Sequence, residues 1–312
     1  MDLSIIYINY NSHQYTLNSI ESLKKVIHEN ITHEIIVIDN HSLLNDYSAL
    51  EKKLHKNHPD VLLKRSCFNS GFASGNMYGS QHATGKYLLF INNDTLFYQD
   101  CFTPLFNYME KNKQVGVSTV KVFDKEKNLG CSFDHFIGLR KHFLGRTILE
   151  KYFKKPKRKN NPYKNPIEVD AVQGCFMFFR AQSFAHIGGF DTNIFLYYEE
   201  IDICKRLKNK GYKSIFHPNS SFTHFEGGSS TQLGYLKKLE LTISYLYVLR
   251  KNFGFLRYFF IKTALIVKYF FKSIFKWNYW KLFFTLLTLG SPLAHSLRQK
   301  QSISYIHTYE NN

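Results

Sequence analysis

The sequence predicts an α/β fold with a mostly parallel central sheet, followed by an amphipathic helical region at the C-terminus. Short apolar runs such as Leu3–Ile8 alternate with segments of helical periodicity over roughly the first 115 residues. This alternation is typical of parallel sheets covered by helices on both faces. From Tyr235 onward the chain is instead aromatic, basic and helical in periodicity, so we expect two domains, 1–232 and 233–312.

The individual elements follow from apolar runs bounded by polar residues. The expected strands are Leu3–Ile8, Glu34–Ile38, Val61–Lys64, Tyr87–Ile91, Val115–Val122 and Lys213–Phe216. The expected helices are Tyr15–Glu29, Tyr47–Lys56, one opened by the glycine-rich Asn69–Gly79, and one from the acidic cluster 199–202 to Lys210. Residues 140–165 are rich in Lys, Pro and Asn, and this composition predicts a basic loop.

The net charge of +17 is concentrated in two segments. Residues 137–165 contain ten Lys/Arg and one acid, residues 233–312 contain twelve and two, and the rest of the chain is close to neutral. Five cysteines without paired spacing predict neither a disulfide framework nor a CxxC metal site, which favours a reducing cytosol. The first residues lack a basic leader, so we do not expect export.

Polar residues follow the predicted strands, where ligands bind in open α/β sheets. Asn92, Asn93 and Asp94 come directly after Tyr87–Ile91, and their oxygen atoms would suit Mg²⁺ or Mn²⁺ held against phosphates. Asp39 follows the second strand and could accept a hydrogen bond from a base or ribose. Turn formation or helix capping would explain the same residues without a ligand.

Two further clusters have the composition of binding or catalytic sites. The turn Asn69–Asn76 could bring backbone N–H groups to an anion, but it matches neither GxGxxG nor a Walker loop, which argues against a dinucleotide enzyme or P-loop ATPase. Glu199, Glu200 and Asp202 open a helix. One of them could be a general base, or the three could only be helix-capping acids that the helix dipole stabilises. Their spacing places Glu199 and Asp202 on one face and Glu200 elsewhere. His224 could be a metal ligand or a satisfied polar group.

Nine motifs in order between residues 4 and 230 resemble those of glycosyltransferase family 2, and within it a bacterial rhamnosyltransferase-like subgroup. The motifs are SIIYINYN (4–11), IIVIDNHS (35–42), NSGFASGNMYG (69–79), ATGKYLLFINNDT (83–95), GCFMFFR (174–180), IGGFD (187–191), FLYYEEIDICKRL (195–207), GYKSIFHP (211–218) and HFEGGSS (224–230). The family comprises inverting enzymes with the GT-A nucleotide-sugar-binding fold. The resemblance covers about three quarters of the chain and leaves the C-terminus unaccounted for.

The resemblance implies a nucleotide-sugar donor across the carboxyl edge of the sheet and a glycan or lipid-linked glycan as acceptor. Asp39 would hold the pyrimidine ring, and the implied donor-binding residues are Asn9, Asn11, Asp39, Asn69, Gly71, Asn76 and Asn93. The implied ligands of Mg²⁺ or Mn²⁺ are Asp94, Asn92 and His224. Gly174 and Cys175 would shape the acceptor side.

The family's catalytic acidic pair corresponds to Glu199 and Glu200, and its second member, here Glu200, would be the base. Two departures matter: this position carries Glu where the family has Asp, and the metal motif begins with Asn92 instead of Asp. Asp202 therefore remains a rival for the base. The implied reaction moves rhamnose from dTDP-rhamnose, or a hexose from a UDP-sugar, to a growing cell-surface polysaccharide. The alternative is a non-catalytic membrane-associated scaffold that retains the fold.

Residues 255–289 predict a basic amphipathic helix. At about 100° per residue, its Lys and Arg side chains fall within one arc, and mostly Phe, Leu, Ile and Val lie opposite. No uncharged run approaches the roughly 20 residues needed to span a bilayer. We expect the helix to lie on the anionic inner face of the plasma membrane, as a peripheral cytoplasmic contact, and not to bind nucleic acid. The alternative is a core-facing or homodimer-forming helix with a solvated basic edge.

Overall fold

The computed structural model of the protein describes residues 1–158, 163–225, 234–287 and 292–303. Within these ranges the strands are β1 (Leu3–Asn9), β2 (His33–Asp39), β3 (Leu62–Arg65), β4 (Tyr87–Asn92), β5 (Thr95–Leu96), β6 (Val115–Phe123), β7 (Phe133–Asp134), β8 (Ile167–Val169), β9 (Ala171–Val172), β10 (Phe176–Arg180) and β11 (Lys213–His224). The helices are α1 (His13–Lys24), α2 (Leu44–Asn57), α3 (Gly71–Ser80), α4 (Phe102–Lys111), α5 (Leu139–Tyr152), α6 (Ala181–His186), α7 (Glu199–Asn209), α8 (Gly234–Phe253), α9 (Phe255–Phe275) and α10 (Tyr279–Leu287). Two 3-10 turns follow, Pro292–His295 and Leu297–Lys300.

The central sheet has nine strands and is mostly parallel. Its order is β3-β2-β1-β4-β10-β6-β11-β5, with β8 also paired to β11. The strands β1 to β4, β6 and β11 run in one direction, whereas β10 lies antiparallel between β4 and β6. A small second sheet pairs β7 with β9. The predicted α/β fold with a mostly parallel sheet is confirmed.

Apolar side chains on both faces of the sheet form two core clusters. In β1, Ile5 and Tyr7 belong to one cluster and Ile6 to the other, because successive side chains of a strand point to opposite faces. The helices α1, α2 and α4 cover the first face, and α3, α6 and α7 cover the second. The C-terminal helices α8 and α9 pack into that second cluster through residues such as Leu246 and Ile261. The expected domain boundary at residue 232 lies outside the described residues.

The expected basic loop at 140–165 is wrong for its first half, which forms α5. The helix is kinked at Gly145, where φ is 79°. Its basic residues are held by acids elsewhere in the chain: Lys141 Nζ and Arg146 Nη2 each lie 2.8 Å from Oδ2 of Asp134. Composition alone predicted a solvated segment because the acid that neutralises these residues, Asp134, lies outside the segment in β7.

The expected single helix over 255–289 is also broken. α9 ends at Phe275 and α10 begins at Tyr279, and the two pack side by side, with the rings of Tyr269 and Tyr279 stacked 5.7 Å apart. Residues 288 and 289 lie outside the described ranges. Among the helices that the structure describes, none is both long and apolar enough to cross a bilayer.

Candidate active site

The sheet brings the predicted polar residues to one edge. In the parallel ladders Asn9 pairs with Asp39, and Ile8 pairs with Asn92, so the ends of β1, β2 and β4 lie next to one another. β11 ends at His224, which pairs with Thr95 just after the metal motif. Residues more than 200 positions apart in sequence therefore meet at the carboxyl edge, where open α/β sheets bind ligands.

Asp39 and Asn9 form the buried floor of this edge. Oδ2 of Asp39 accepts a hydrogen bond from Nδ2 of Asn9 at 2.9 Å, and Oδ1 accepts one from the backbone N–H of Ser42 at 3.1 Å. Both side chains are fully buried. Asn11 lies nearer the surface, and its Oδ1 accepts from the backbone N–H of Leu43 at 2.7 Å, which ties the turn after β1 to the turn after β2.

The glycine-rich turn before α3 serves a close backbone contact. Gly71 has a φ of 79°, and a Cβ there would collide with the backbone carbonyl of Phe195. The neighbouring N–H of Phe72 donates to that carbonyl at 2.9 Å. Oδ1 of Asn69 accepts from the Gly71 N–H at 3.0 Å, and Asn76 is buried within α3. The turn thus holds the segment that leads into α7.

Asn40 is a site-forming residue that the motif reasoning missed. Its Oδ1 accepts hydrogen bonds from the backbone N–H and hydroxyl of Ser70, at 3.1 and 2.9 Å. Its Nδ2 donates to Oδ1 of Asn69 at 3.0 Å and to the carbonyl of Gly71 at 3.1 Å. The sequence feature that could have identified Asn40 as a site residue is its position directly after Asp39, at the end of a buried strand.

Asp94 and His224 form the core of the candidate metal site. Nε2 of His224 lies 2.9 Å from Oδ1 of Asp94 and 3.2 Å from Nδ2 of Asn92. Burial opposes protonation of His224, but Cys175 and Asp94 outweigh it through charge and hydrogen bonding and raise its pKa to about 11. Asn93 points the other way, and its Nδ2 donates to Ser12 Oγ at 2.7 Å.

These donors fit a divalent cation that shares its coordination with a substrate. The described residues contain no group of three or more His, Cys, Asp or Glu arranged around one metal position. A carboxylate and an imidazole side by side suit a cation that takes further ligands from phosphates. Asn92 turns its Nδ2 toward His224, so its amide oxygen would join such a site only after the amide group turns over. Coordination by His224 would require loss of its proton.

Glu199 and Glu200 converge on Gly174 at the start of α7. A methyl group placed on Gly174 would lie 3.7 Å from Oε1 of Glu199 and 4.0 Å from Oε2 of Glu200. The helix is entered through Tyr197 and Tyr198, both left-handed with φ of 72° and 67°. The expected separation of Glu200 from Glu199 is therefore wrong. Helical spacing gives the direction of each Cβ, but it does not give the position of the carboxyl group at the end of a long side chain in the first turn.

Asp202 lies in a different environment. It is fully buried, and its Oδ2 lies 2.7 Å from Nη2 of Arg206 while its Oδ1 lies 2.7 Å from Nζ of Lys251. Nδ2 of Asn252 also donates to Oδ1 at 2.7 Å. Both carboxylate oxygens are thus engaged, Oδ2 within α7 itself and Oδ1 with two residues of α8.

The carboxyl groups of Glu199 and Glu200 are held in less ionised states than usual. Burial, and then the charge of Glu200, raise the pKa of Glu199 well above its ordinary value. Burial also raises the pKa of Glu200 to about 7, with Asp134 adding to the increase and Lys141 opposing it. A carboxyl group with a pKa near 7 is suited to accept a proton at neutral pH.

The segment Gly174–Cys175 joins the two halves of the site. The backbone N–H of Asn92 donates to the carbonyl of Cys175 at 3.1 Å, so Gly174 lies beside the end of β4. Cys175 itself is buried. Gly174 and Cys175 therefore connect the end of β4, where the candidate metal ligands begin, to the pair of glutamates.

The family model described as "Glycosyl transferase family 2" matches residues 4–186, more than half of the chain. The rhamnosyltransferase WbbL of Escherichia coli (strain K12) is 28% identical over 192 residues, covering 54% of this chain and 70% of the relative. The minor teichoic acid biosynthesis protein GgaB of Bacillus subtilis (strain 168) is 27% identical over 135 residues, covering 41% of this chain and 14% of the relative. An N-acetylglucosaminyl-diphospho-decaprenol L-rhamnosyltransferase of Mycobacterium tuberculosis (strain ATCC 25618 / H37Rv) is 31% identical over 62 residues, 20% of each chain.

Solved glycosyltransferase structures share the fold. GalNAc-T7, solved with UDP, GalNAc and Mn²⁺, superposes with a TM-score of 0.60 at 18% identity, covering 80% of this chain and 48% of that one. The mannosyltransferase PcManGT of Pyrobaculum calidifontis, solved with GDP-Man and Mn²⁺, gives 0.53 at 15% identity, covering 78% and 63%. Identities this low establish the fold alone. Because the family model matches more than half of the chain, this chain belongs to glycosyl transferase family 2 and is a glycosyltransferase.

Proposed function

We propose that the protein is an inverting, metal-dependent glycosyltransferase in which Glu200 is the catalytic base. The observation that carries this proposal is the position of Glu200, with a pKa of about 7, against the bare backbone of Gly174. Cys175, which follows Gly174, accepts a hydrogen bond from the backbone of Asn92 at the end of β4, two residues before Asp94 of the Asp94–His224 pair. Asp202 is the weaker candidate, because Arg206 and Lys251 already engage its oxygens.

The proposed reaction follows from the positions of Glu200 and of the candidate metal ligands. The Glu200 carboxylate accepts the proton of an acceptor hydroxyl, whose oxygen attacks the anomeric carbon from the face opposite the nucleotide. The bond to the nucleoside diphosphate breaks, its electron pair leaves with the diphosphate, and the configuration inverts. Asp94, His224 and Asn92 would hold Mg²⁺ or Mn²⁺, which when bound offsets the negative charge of the diphosphate.

The donor-binding residues divide into two groups. Asn11, which is exposed, and Asn69, which is half-buried, lie in the turns that face the edge of the sheet, where a nucleotide would bind. Asn9, Asp39, Gly71, Asn76 and Asn93 are engaged within the protein and would act by fixing those turns. In this arrangement the pyrimidine ring would contact the turns that Asp39 holds in place through Asn9 and Ser42.

The donor is proposed to be dTDP-rhamnose, with a UDP-hexose as the second candidate. The similarity to rhamnosyltransferase WbbL supports the sugar. The acceptor is proposed to be a growing cell-surface polysaccharide or lipid-linked glycan, supported by the diphospho-decaprenol acceptor named for the mycobacterial relative.

Calorimetric titration with UDP, dTDP and GDP, each with and without Mn²⁺, tests the donor site. We expect Mn²⁺-dependent binding of a pyrimidine diphosphate. Transfer from the matching nucleotide-rhamnose to an N-acetylglucosaminyl-diphospho-lipid then tests the reaction. Glu200→Gln should retain nucleotide binding and lose transfer. If Asp202→Asn shows that pattern and Glu200→Gln does not, Glu200 is not the base. A non-catalytic scaffold would give no transfer even with Glu200 and Asp94 intact.

We also propose that α9 attaches the protein to the anionic cytoplasmic face of the membrane. The buried side of α9 consists of Tyr258, Ile261, Leu265, Tyr269 and Ser273. Its opposite side carries exposed apolar residues, and these are Leu256, Phe259, Phe260, Val267, Phe270, Phe271, Ile274 and Phe275. Phe275 has 86% of its side chain exposed and Leu256 has 71%. An aromatic face of this extent is unusual on a monomeric soluble protein.

The charges around α9 fit a lipid surface. The basic residues of α9 flank its buried side, with Nζ of Lys262 lying 5.8 Å from the ring centroid of Tyr258. Long basic side chains beside an apolar face can reach lipid headgroups while the aromatic rings enter the acyl boundary. The sequence has no acidic residue between Glu240 and Glu310, so nothing in this stretch repels anionic lipid. Each Lys or Arg contributes about 1 kcal/mol near such a surface.

Substitution of the exposed face tests the attachment better than truncation, because α9 also buries Ile261 in the core. Phe260→Glu and Phe271→Glu should each weaken sedimentation with phosphatidylglycerol vesicles roughly tenfold or more. The matched control is Tyr98→Glu, which replaces a 73% exposed aromatic residue outside α9. Equal vesicle binding by all variants would refute the lipid surface. If the two Phe variants instead change the oligomeric state measured by light scattering, the face is a homodimer interface.

A further inference from the structure

We infer that Glu199 is a positioning residue that stays protonated and presents its O–H as a hydrogen-bond donor beside Glu200. This inference rests on the proposed function and deepens it. It assigns different protonation states to these two adjacent glutamates. Glu200 would accept the acceptor's proton, and Glu199 would hold the acceptor sugar in place.

The first support is the unsatisfied oxygen of Glu199. The residue is only 8% exposed. Its Oε2 is buried and has no hydrogen-bond partner among the residues that the structure describes. An ionised carboxylate left this way would carry a large desolvation cost. A neutral carboxylic acid costs far less and has a donor that a bound hydroxyl can use.

The second support is the distribution of positive charge around α7. Within the described ranges, no ion pair includes Glu199 or Glu200. Two basic groups of α5 are already held by another acid: Lys141 and Arg146 pair with Asp134, each at 2.8 Å. Glu200 also interacts with Tyr198 and Cys204, which are neutral at physiological pH, and with Asp134, which is negative. The charged neighbour of Glu199 is Glu200.

Two carboxyl groups that share a buried space without a cation cannot both ionise readily. The more buried of the two should keep the proton, and Glu199 is the more buried. The pKa of Glu199 is raised well above its ordinary value by burial and then by Glu200, in agreement with the geometry.

Gly174 leaves the space that such a donor needs. Oε1 of Glu199 and Oε2 of Glu200 lie 3.7 and 4.0 Å from the place where a Cβ would stand on residue 174. A sugar that enters this space comes within reach of both carboxyl groups. One of its hydroxyls can donate to Glu200 while a neighbouring oxygen accepts from Glu199.

The test compares Glu199→Gln with Glu199→Ala in acceptor kinetics over a range of pH. Gln is neutral and keeps an N–H donor, so this variant should be slower than the wild type yet retain the same pH midpoint of kcat/KM. Ala removes the donor, and the acceptor KM should rise about tenfold relative to the Gln variant, the usual effect of one lost hydrogen bond. A midpoint that falls by more than about half a pH unit in Glu199→Gln would show that Glu199 was ionised. Equal acceptor KM values for the two variants would remove the donor role.

A spectroscopic measurement separates this inference from the reaction itself. The infrared band of a protonated carboxyl group should be present in the wild type and in Glu200→Gln at pH 8, and absent in Glu199→Gln. Its presence in all three proteins or absence from the wild type would overturn the inference even if all variants are inactive. If the wild type shows no transfer but the band behaves as expected, the proposed function fails and the protonation of Glu199 stands.

Discussion

Replacing Glu200 by Gln is expected to stabilise the folded protein while it stops transfer. The ordinary pKa of this side chain is 4.5, and burial raises it to about 7. The folded state therefore holds a proton on Glu200 over a range in which the unfolded chain has released it. Stability must fall as the pH rises from about 4.5 to about 7, and the full cost is present above that window. The shift corresponds to about 3 kcal/mol, an upper value because the side chain keeps some contact with solvent.

Urea unfolding at pH 5 and pH 8 measures this cost. The wild type should lose stability between the two pH values relative to Glu200→Gln, and the variant should be the more stable protein at pH 8. Transfer should fall by roughly 10²- to 10⁴-fold, the usual contribution of a general base. Asp202→Asn is the matched control: it leaves Arg206 and Lys251 facing a neutral group and should destabilise by about 3 kcal/mol or more. A Glu200→Gln variant no more stable than the wild type at pH 8 would refute the raised pKa, and one with full transfer would refute the role of base.

Three other substitutions test separate parts of the site. Gly174→Ala adds a methyl group in ordinary contact distance of both glutamates, so it should raise the acceptor KM several-fold without changing the melting temperature, and an unchanged KM would place the acceptor elsewhere. Asp94→Ala should abolish the Mn²⁺-dependent part of nucleotide diphosphate binding in calorimetry, and retained Mn²⁺ dependence would remove Asp94 from the metal site. Gly71→Ala combines a φ of 79° with a collision at the Phe195 carbonyl, so it should lower the melting temperature, whereas Gly75→Ala, with a nearest contact of 3.1 Å to a flexible Ile8 side chain, should lower it much less.

The strand ends of the site were predictable because they depend on a short-range pattern. An apolar run followed by a polar residue identifies the end of a buried strand, and parallel strands place their ends at the same edge. Asp39, Asn92 and Asp94 were found in this way. The meeting of His224 with Asp94 came from the resemblance to a known family, since nothing local links residues 130 positions apart.

Features that depend on tertiary partners could not be read from the sequence. The basic composition of residues 140–165 predicted a loop, but Asp134 neutralises Lys141 and Arg146 and the first half forms a helix. The helical periodicity of α9 gave its basic arc and its apolar arc correctly. It could not say which arc faces the protein, because that depends on how the helix docks against α8 and α10.

The acids of α7 show how environment, and not residue type, sets chemistry. Asp202 pairs with Arg206 of its own helix and with Lys251 of α8, so both of its oxygens are already occupied. Glu200 lies two residues away without an ion pair among the described residues, and its pKa of about 7 leaves it able to exchange a proton at neutral pH. Glu199 is buried further and holds its proton more tightly. A base needs a carboxylate that is destabilised but still accessible, and of the three only Glu200 meets both conditions.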